Sequence, residues 1–137
     1  MSDWNDTVIK EFHDNDGTTG MFGRDLVILH TIGARSGEPR PTPARAVRDG
    51  GDWVVTATAG GAPRDPAWAH NLRVHPEFDL EFAGPEHGIE TVGVRATEVA
   101  EPERTELYER FVAVQASFAE YREKTERVFP VFRLSPR

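Results

Sequence analysis

The sequence predicts an α+β fold dominated by β-structure, a mostly antiparallel barrel or curled sheet with flanking helices. A continuous apolar run at residues 26–32 is typical of a strand that is buried on both faces. The tetrapeptide Asp-Gly-Gly-Asp at residues 49–52 suits a tight hairpin turn between antiparallel strands. Helical patterns do not alternate regularly with strands, so a parallel βαβ sheet is not expected.

The first element is a short amphipathic helix. Trp4, Val8 and Phe12 recur at a spacing of four residues, which places them on one helix face. Asp3 is a suitable N-cap, and the helix is expected to end near His13.

Three strands are expected before the next helix. The first is the apolar run at residues 26–32, and residues 33–43 follow as a structured loop because they contain two glycines and three prolines. The second and third strands are predicted at residues 44–48 and 53–59, joined by the hairpin turn.

The second half of the chain adds one short helix, three strands and one long helix. Asp65-Pro66 suits the start of a helix over residues 66–75. Strands are predicted at residues 79–82, 91–99 and 131–134. The long helix is indicated by apolar residues at spacings of four, three, four and three, namely Leu107, Phe111, Val114, Phe118 and Tyr121.

Length and composition restrict the class of protein. The 137 residues suit a single domain, 1–137, in which the N-terminal helix and loop, residues 1–23, could move relative to the rest. The formal net charge of −7 argues against nucleic-acid binding. Without cysteine, disulfides, thiolate nucleophiles and cysteine metal sites are excluded. No apolar stretch approaches the length of about 20 residues that a membrane span needs, and no secretory signal is recognisable. We expect a cytoplasmic protein.

Positive charge is concentrated in one part of this acidic chain. Between residues 33 and 48 the sequence has one acid and four arginines, Arg35, Arg40, Arg45 and Arg48. We call these four residues the basic segment. It could attract a small anionic ligand, or it could be a solvated turn without a ligand.

Several common active-site motifs are absent. The sequence has no dinucleotide-binding glycine fingerprint, no P-loop and no nucleophile elbow. Its five histidines show no metal-binding spacing, so we expect no metal site. The loop at residues 33–43 remains as a phosphate site, beside the small residues 56–61, which could admit a flat ring. Trp68 and Asn71 could face the same cleft, although core packing and surface exposure are the alternatives.

Three stretches resemble the deazaflavin-dependent nitroreductase family. They are LVILHTIGARSGEPRPTP with the RDGG hairpin, TATAGGAPRDPAWAHNLRVHPE, and FAEYREKTERVFPVFRL, and the resemblance extends over about residues 11–134. It implies a split β-barrel that binds the 8-hydroxy-5-deazaflavin coenzyme F420. It also implies hydride transfer from the reduced coenzyme to quinones, nitroaromatics or activated double bonds.

The resemblance also implies roles for individual residues. Those assigned to the coenzyme's phosphate and acidic tail are Arg35, Ser36, Gly37 and Arg40. Those assigned to the ring are Thr42, Pro43, Thr56, Ala57 and Thr58, with Trp68 and Asn71 closing that side. The implied substrate pocket consists of Arg45, Gln115, Phe118 and Tyr121.

Two departures from the family pattern and several alternatives accompany this interpretation. Ala34 and Ala59 stand where relatives often have basic or amide side chains, and Tyr121 is the one pocket tyrosine. The proton donor could be Tyr121, Thr58 or water, and Tyr121 could instead be a packing residue. The alternatives are a split-barrel oxidoreductase that uses flavin mononucleotide and a carrier of deazaflavin, haem or lipid without turnover. The expected partners are a small-molecule hydride acceptor and a second copy of the chain in a homodimer.

Overall fold

A computed structural model of the protein describes residues 3–86 and 88–137; His87, one of the five histidines considered above, lies outside them. The strands of this part of the chain are β1 (Leu26–Ile32), β2 (Pro39–Arg45), β3 (Val47–Asp49), β4 (Asp52–Thr56), β5 (Glu77–Ala83), β6 (Ile89–Glu98) and β7 (Val131–Pro136). The helices are α1 (Asp3–Asp14), α2 (Ala67–Val74), α3 (Glu103–Val114) and α4 (Ser117–Lys124). None of them is long and apolar enough to cross a membrane.

The seven strands form one antiparallel sheet in the order β2-β1-β5-β6-β7-β4-β3. The sheet curls so that one face of nearly every strand contributes to a common core, which includes Leu29, Val55, Leu80, Val94 and Phe132. Strands β2 and β3 are the two free edges, and the barrel is therefore split between them. This architecture confirms the predicted split, mostly antiparallel barrel.

Helices cover parts of the outer face of the sheet. Val8 and Phe12 of α1 pack against Leu26 and Ile28 of β1. On the other side, α3 and α4 pack on β4 and β7 through a second cluster, which contains Val54, Leu107, Tyr108, Phe111, Phe118 and Val131.

The expected loop at residues 33–43 is partly wrong, because a strand, β2, begins at Pro39. Its prolines, Pro39, Pro41 and Pro43, alternate and pair with Ile32, His30 and Ile28 of β1. Since side chains and backbone groups alternate along a strand, all three missing N–H groups fall on one edge. An edge strand tolerates these missing N–H groups, and their absence discourages pairing with a further strand. Proline content alone therefore predicted a loop where an edge strand exists.

The predicted long helix is two helices. Gln115, with φ −154° and ψ 111°, ends α3, and α4 begins at Ser117. Side-chain bonds accompany the break, since Arg45 donates to Gln115 Oε1 at 2.8 Å and Gln115 Nε2 donates to Ser117 Oγ at 2.5 Å. Val114, which the apolar spacing placed in the core, is the last residue of α3 before this break and is 51% exposed.

The predicted strand at residues 44–48 is wrong, because β2 ends at Arg45 and β3 begins at Val47. The remaining elements lie near their predicted positions. Strand β1 has the predicted bounds, and the hairpin pairs Asp49 with Asp52. Strand β4 ends at Thr56 rather than Ala59, because residues 59–61 form a short 3₁₀ turn.

Candidate functional site

The arginine-bearing loop between β1 and β2 is closed by its own backbone. Gly33 N–H donates to the Glu38 carbonyl at 2.8 Å, and Gly37 N–H donates to the Gly33 carbonyl at 2.9 Å. Gly37 has φ +71°, which an L-residue adopts only with strain. A Cβ at Gly33 would lie 2.4 Å from Ser36 Oγ. We call residues 33–38 the anion loop. Gly37 is required by the shape of the loop, and a side chain at Gly33 would force the Ser36 hydroxyl to move.

Asn71 of α2 fixes the start of the anion loop. Its Oδ1 accepts a hydrogen bond from Ala34 N–H at 2.9 Å, and its Nδ2 donates to Thr31 Oγ1 at 3.3 Å. The Thr31 hydroxyl donates in turn to the Arg40 carbonyl at 2.6 Å. Asn71 is 7% exposed, so the alternative of a surface residue is wrong. The helix, the loop and the edge strand are therefore joined by one polar side chain.

The positive charge of the anion loop is not neutralised within the protein. Among the residues that the structure describes, Arg35 and Arg64 are the arginines without a hydrogen-bond, ion-pair or ring partner. Arg40 has a solvent-exposed contact of 3.4 Å with Glu38, which stabilises the protein little. Arg35 borders a cavity of about 530 Å³ that Ala34, His70 and Asn71 also line. The loop thus presents unpaired positive charge beside a cavity.

The segment that follows β4 is the second predicted part of the site. The Thr56 hydroxyl donates to the Pro130 carbonyl at 2.9 Å, and Thr58 Oγ1 accepts from Gly60 N–H at 3.4 Å. Gly61 has φ +89°, and a Cβ there would lie 3.0 Å from the Tyr121 carbonyl oxygen. This glycine therefore permits the close approach of α4, and it brings the backbone of Tyr121 to the end of β4.

Arg127 holds this turn, and the sequence analysis missed it. Its guanidinium donates to the carbonyl oxygens of Ala57, Thr58 and Ala62 and to Asp65 Oδ1. The side chain is 12% exposed and its Cζ lies 4.7 Å from the ring centroid of Phe129. A single arginine 62 residues beyond Asp65 carries no local sequence signal, because its partners are mostly backbone carbonyls.

The four residues of the predicted substrate pocket form two pairs. Arg45 contacts Gln115 by the hydrogen bond described above and Asp25 at 3.0 Å. The rings of Phe118 and Tyr121 are 5.4 Å apart, edge to face. Tyr121 is half-buried and packs at the margin of the α3–α4 cluster, so its packing role is part of the structure.

A buried hydroxyl supports the α4 side of this arrangement. Tyr108 donates to the Phe118 carbonyl at 2.7 Å. Burial raises the pKa of Tyr108 to about 12, since the charged phenolate would lose its hydration. The phenol therefore stays neutral and fixes the turn of helix that carries Phe118.

Comparisons with known proteins show the family of this chain. A family model described as "F420H(2)-dependent quinone reductase" matches residues 4–136. The chain belongs to this family. The quinone reductase of this name from Mycobacterium tuberculosis strain H37Rv is 30% identical over 128 residues, which cover 88% of this chain and 84% of the relative. Family membership confirms the predicted enzyme class, a reductase that depends on coenzyme F420 rather than on flavin mononucleotide.

Two solved structures are similar to this quinone reductase family member. One is an F420-H2-dependent reductase, FDR-A, with a TM-score of 0.72 and 29% identity, covering 82% of this chain and 95% of that one. The other is described as a domain-swapped dimer, with a TM-score of 0.72 and 30% identity, covering 93% of this chain and 91% of that one. Both support the split-barrel fold.

In this reductase the basic segment does not form one site. Strand β2 separates its members, since Arg40 pairs with Thr31 and Arg45 pairs with Leu26 at the opposite ends of β1. Arg35 and Arg40 lie at the anion-loop end, and Arg48 lies in β3 next to Trp53 of β4. Trp68 packs at the anion-loop end of the core, 6.1 Å from the ring of Phe132. The expectation of a single compact basic site is therefore wrong for half of its arginines.

Proposed function

We propose that the protein binds reduced coenzyme F420 at the anion-loop end of the barrel and reduces a quinone there. The observation that carries this proposal is the unpaired Arg35 on a glycine-shaped loop beside a cavity, in a chain of this family. When bound, the reduced deazaflavin supplies a hydride. The protein supplies binding, orientation and shielding.

The residues of the anion loop fit the anionic parts of the coenzyme. Arg35 and Arg40 provide charge-assisted hydrogen bonds for a phosphate and a carboxylate tail. Ser36 and the flexible Gly37 allow close approach of that group to the backbone. The full proposed set for phosphate and tail is Arg35, Ser36, Gly37 and Arg40, with Asn71 holding the loop by its bond to Ala34.

The small residues at the end of β4 fit a flat ring. The proposed ring-binding set is Thr42, Pro43, Thr56, Ala57, Thr58 and Trp68. Its rigidity is supported by Arg127, which binds the carbonyl groups of Ala57 and Thr58 and so fixes the backbone against which the ring would lie. A rigid platform matters because hydride transfer requires reacting atoms about 3 to 3.5 Å apart.

For the acceptor side we propose the region of Phe118 and Tyr121. The other two residues of the predicted pocket, Arg45 and Gln115, contact each other at the opposite end of β1 from the anion loop. The contact between Gly61 and the Tyr121 backbone supports the proposed acceptor region, since it joins α4 to the proposed ring platform. Tyr121, whose backbone approaches that platform at Gly61, is the proposed proton donor, with Thr58 or water as the alternatives. Nitroaromatics and enones should be tested as hydride acceptors together with quinones, since the sequence resemblance implies all three classes.

A turnover assay tests this function. Reduced coenzyme F420 mixed with menadione should be oxidised at a rate proportional to the protein concentration, and reduced flavin mononucleotide should not substitute. Tight binding of the coenzyme without oxidation by quinones, nitroaromatics or enones would instead favour a carrier.

The expected homodimer remains a proposal, supported by the 30%-identical structure that is described as a domain-swapped dimer. Light scattering should give twice the chain mass of 15.3 kDa. A mass of one chain would contradict it.

A further inference from the structure

The end of the barrel opposite the anion loop contains a cavity that the proposed function does not use. Its volume is about 200 Å³. The floor is apolar and consists of Val27, Ala46, Trp53 and Phe82, and the arginines at its border are Arg24 and Arg48. We call it the Trp53 cavity.

Two aromatic rings make the floor of the Trp53 cavity. The ring centroids of Trp53 and Phe82 are 4.9 Å apart, and Trp53 is almost fully buried. Ala46 contributes only a methyl group next to them, which leaves the space open. Such a floor favours the apolar part of a ligand over a bare inorganic ion, which would have to lose hydration without compensation.

The arginines at the border are not neutralised by carboxylates. Arg24 donates to the Gly84 carbonyl and to Thr18 Oγ1, and both acceptors are neutral. The Cζ of Arg48 lies 4.1 Å from the ring centroid of Trp53, and its Nε donates to the Asp52 carbonyl at 3.2 Å.

The acid at this border does not cancel that charge. Asp25 lines the cavity, but its carboxylate is paired with Arg45 at 3.0 Å. Two guanidinium groups therefore remain unbalanced beside an apolar floor, in a protein with a net charge of −7.

The Trp53 cavity is separate from the proposed coenzyme site. Strand β1 begins with Leu26 beside the cavity and ends with Ile32 at the anion loop. Six strand steps of about 3.3 Å separate these residues by roughly 20 Å. The phosphate and acidic tail proposed for the anion loop would therefore lie well away from an occupant of this cavity.

We propose that the Trp53 cavity is a second binding site, for a monocyclic aromatic carboxylate. A cavity of about 150 Å³ accommodates benzene in another protein, and sites for drug-sized ligands exceed about 300 Å³. The volume here therefore suits one ring with a small substituent. The ring contacts Phe82 and the part of Trp53 that Arg48 does not cover, and the carboxylate reaches Arg24 and Arg48, which form charge-assisted hydrogen bonds with it.

Benzoate is the probe for this site, and the three tryptophans of the chain report its position. In ¹H–¹⁵N spectra of the full chain, the indole resonance of Trp53 is assigned by its loss in Trp53→Phe. Benzoate should shift this resonance and the amide of Ala46, and should leave the indole of Trp68 and the amides of residues 33–38 unchanged. Benzamide, which has the same ring but no charge, should bind at least 10-fold more weakly.

Variants distinguish the contribution of the arginine charge to benzoate binding from that of the cavity space. Arg48→Met keeps an apolar side chain over Trp53 but removes the guanidinium, and should weaken benzoate binding roughly 10- to 150-fold. Ala46→Leu fills the floor and should abolish binding. Arg95→Met, which removes an exposed arginine paired with Glu77, is the matched control and should leave the affinity unchanged. The same spectra report whether each variant is folded.

Three results would overturn the proposal. They are the absence of a Trp53 shift at millimolar benzoate, equal affinity for benzamide, and shifts centred on residues 33–38 instead of on Trp53. None of them bears on the reduction of quinones, because the readout needs neither coenzyme nor turnover.

Discussion

Two segments at the same end of the barrel use arginine in opposite ways. In the turn after β4, Arg127 is nearly buried and donates to three carbonyl oxygens and one carboxylate. In the anion loop, Arg35 is exposed and has no partner among the described residues. The first arginine is committed to the fold, and the second is available to a ligand.

The comparison shows why residue type does not identify a binding residue. The glycines and Arg35 of the anion loop, with Arg40 just after it, attract attention because they are close together in the sequence. Arg127 is more strongly bonded than either Arg35 or Arg40, but its partners are distant in sequence. Variants of these residues can therefore separate effects on stability from effects on binding.

The largest effect on stability is expected for Arg127→Met. It leaves the Ala57, Thr58 and Ala62 carbonyl groups with fewer donors and removes one partner of a nearly buried ion pair. Asp65 keeps its contact with Arg73, but several hydrogen bonds of a charged group are lost at about 1.5 to 3 kcal/mol each, so we expect a loss of at least about 3 kcal/mol. Chemical denaturation measures the loss, and Arg95→Met should change the free energy of unfolding by no more than about 0.5 kcal/mol. Equal effects of the two variants would mean that Arg127 does not organise the turn.

Helix α3 offers a similar contrast between Phe111 and Val114. Phe111 is fully buried, so Phe111→Ala should cost about 3 to 5 kcal/mol of unfolding free energy. Val114 is half-exposed, so Val114→Ala should cost less than about 0.5 kcal/mol. Thermal melts of both variants test this, and a large loss at Val114 would mean that its side chain packs in the core, as the apolar spacing predicted.

A smaller and more local effect is expected for Asn71→Ala. Removal of the amide leaves Ala34 N–H without its acceptor, at a cost of about 1 to 3 kcal/mol. Hydrogen exchange at the Ala34 amide should become faster in this variant. The increase should exceed the one expected from the lower free energy of global unfolding alone. Unchanged exchange there would mean that Asn71 does not hold the anion loop.

The smallest effect on stability is expected for Arg35→Met. Since Arg35 has no intramolecular partner, the melting temperature should stay within the change that the exposed control Arg95→Met produces. A clear destabilisation would show that Arg35 belongs to the fold, as Arg127 does.

The sequence predicted those elements whose signal is local. The apolar residues 26–32 specify β1, and Asp-Gly-Gly-Asp specifies the hairpin, because each pattern is complete within a few residues. Strand β2 was missed because its prolines are acceptable only at a sheet edge, and edge position depends on the whole strand order.

Long-range contacts explain the remaining differences. The break between α3 and α4 coincides with the bond of Gln115 to Arg45, 70 residues earlier, and no glycine or proline marks it. Likewise, the burial of Asn71 follows from its bonds to β1 and the anion loop, so helix periodicity alone could not reveal it. The family resemblance located the candidate site, and the fold explains which of its residues are free to bind.

The most direct test of this account is the affinity of coenzyme F420 for the wild-type protein and for Arg35→Met, followed by fluorescence at two salt concentrations. We expect Arg35→Met to weaken binding roughly 10- to 150-fold, since one charge-assisted hydrogen bond is lost. Salt should weaken binding to the wild type more than to the variant. Equal affinities with the same dependence on salt would contradict the assignment of the anion loop to the coenzyme.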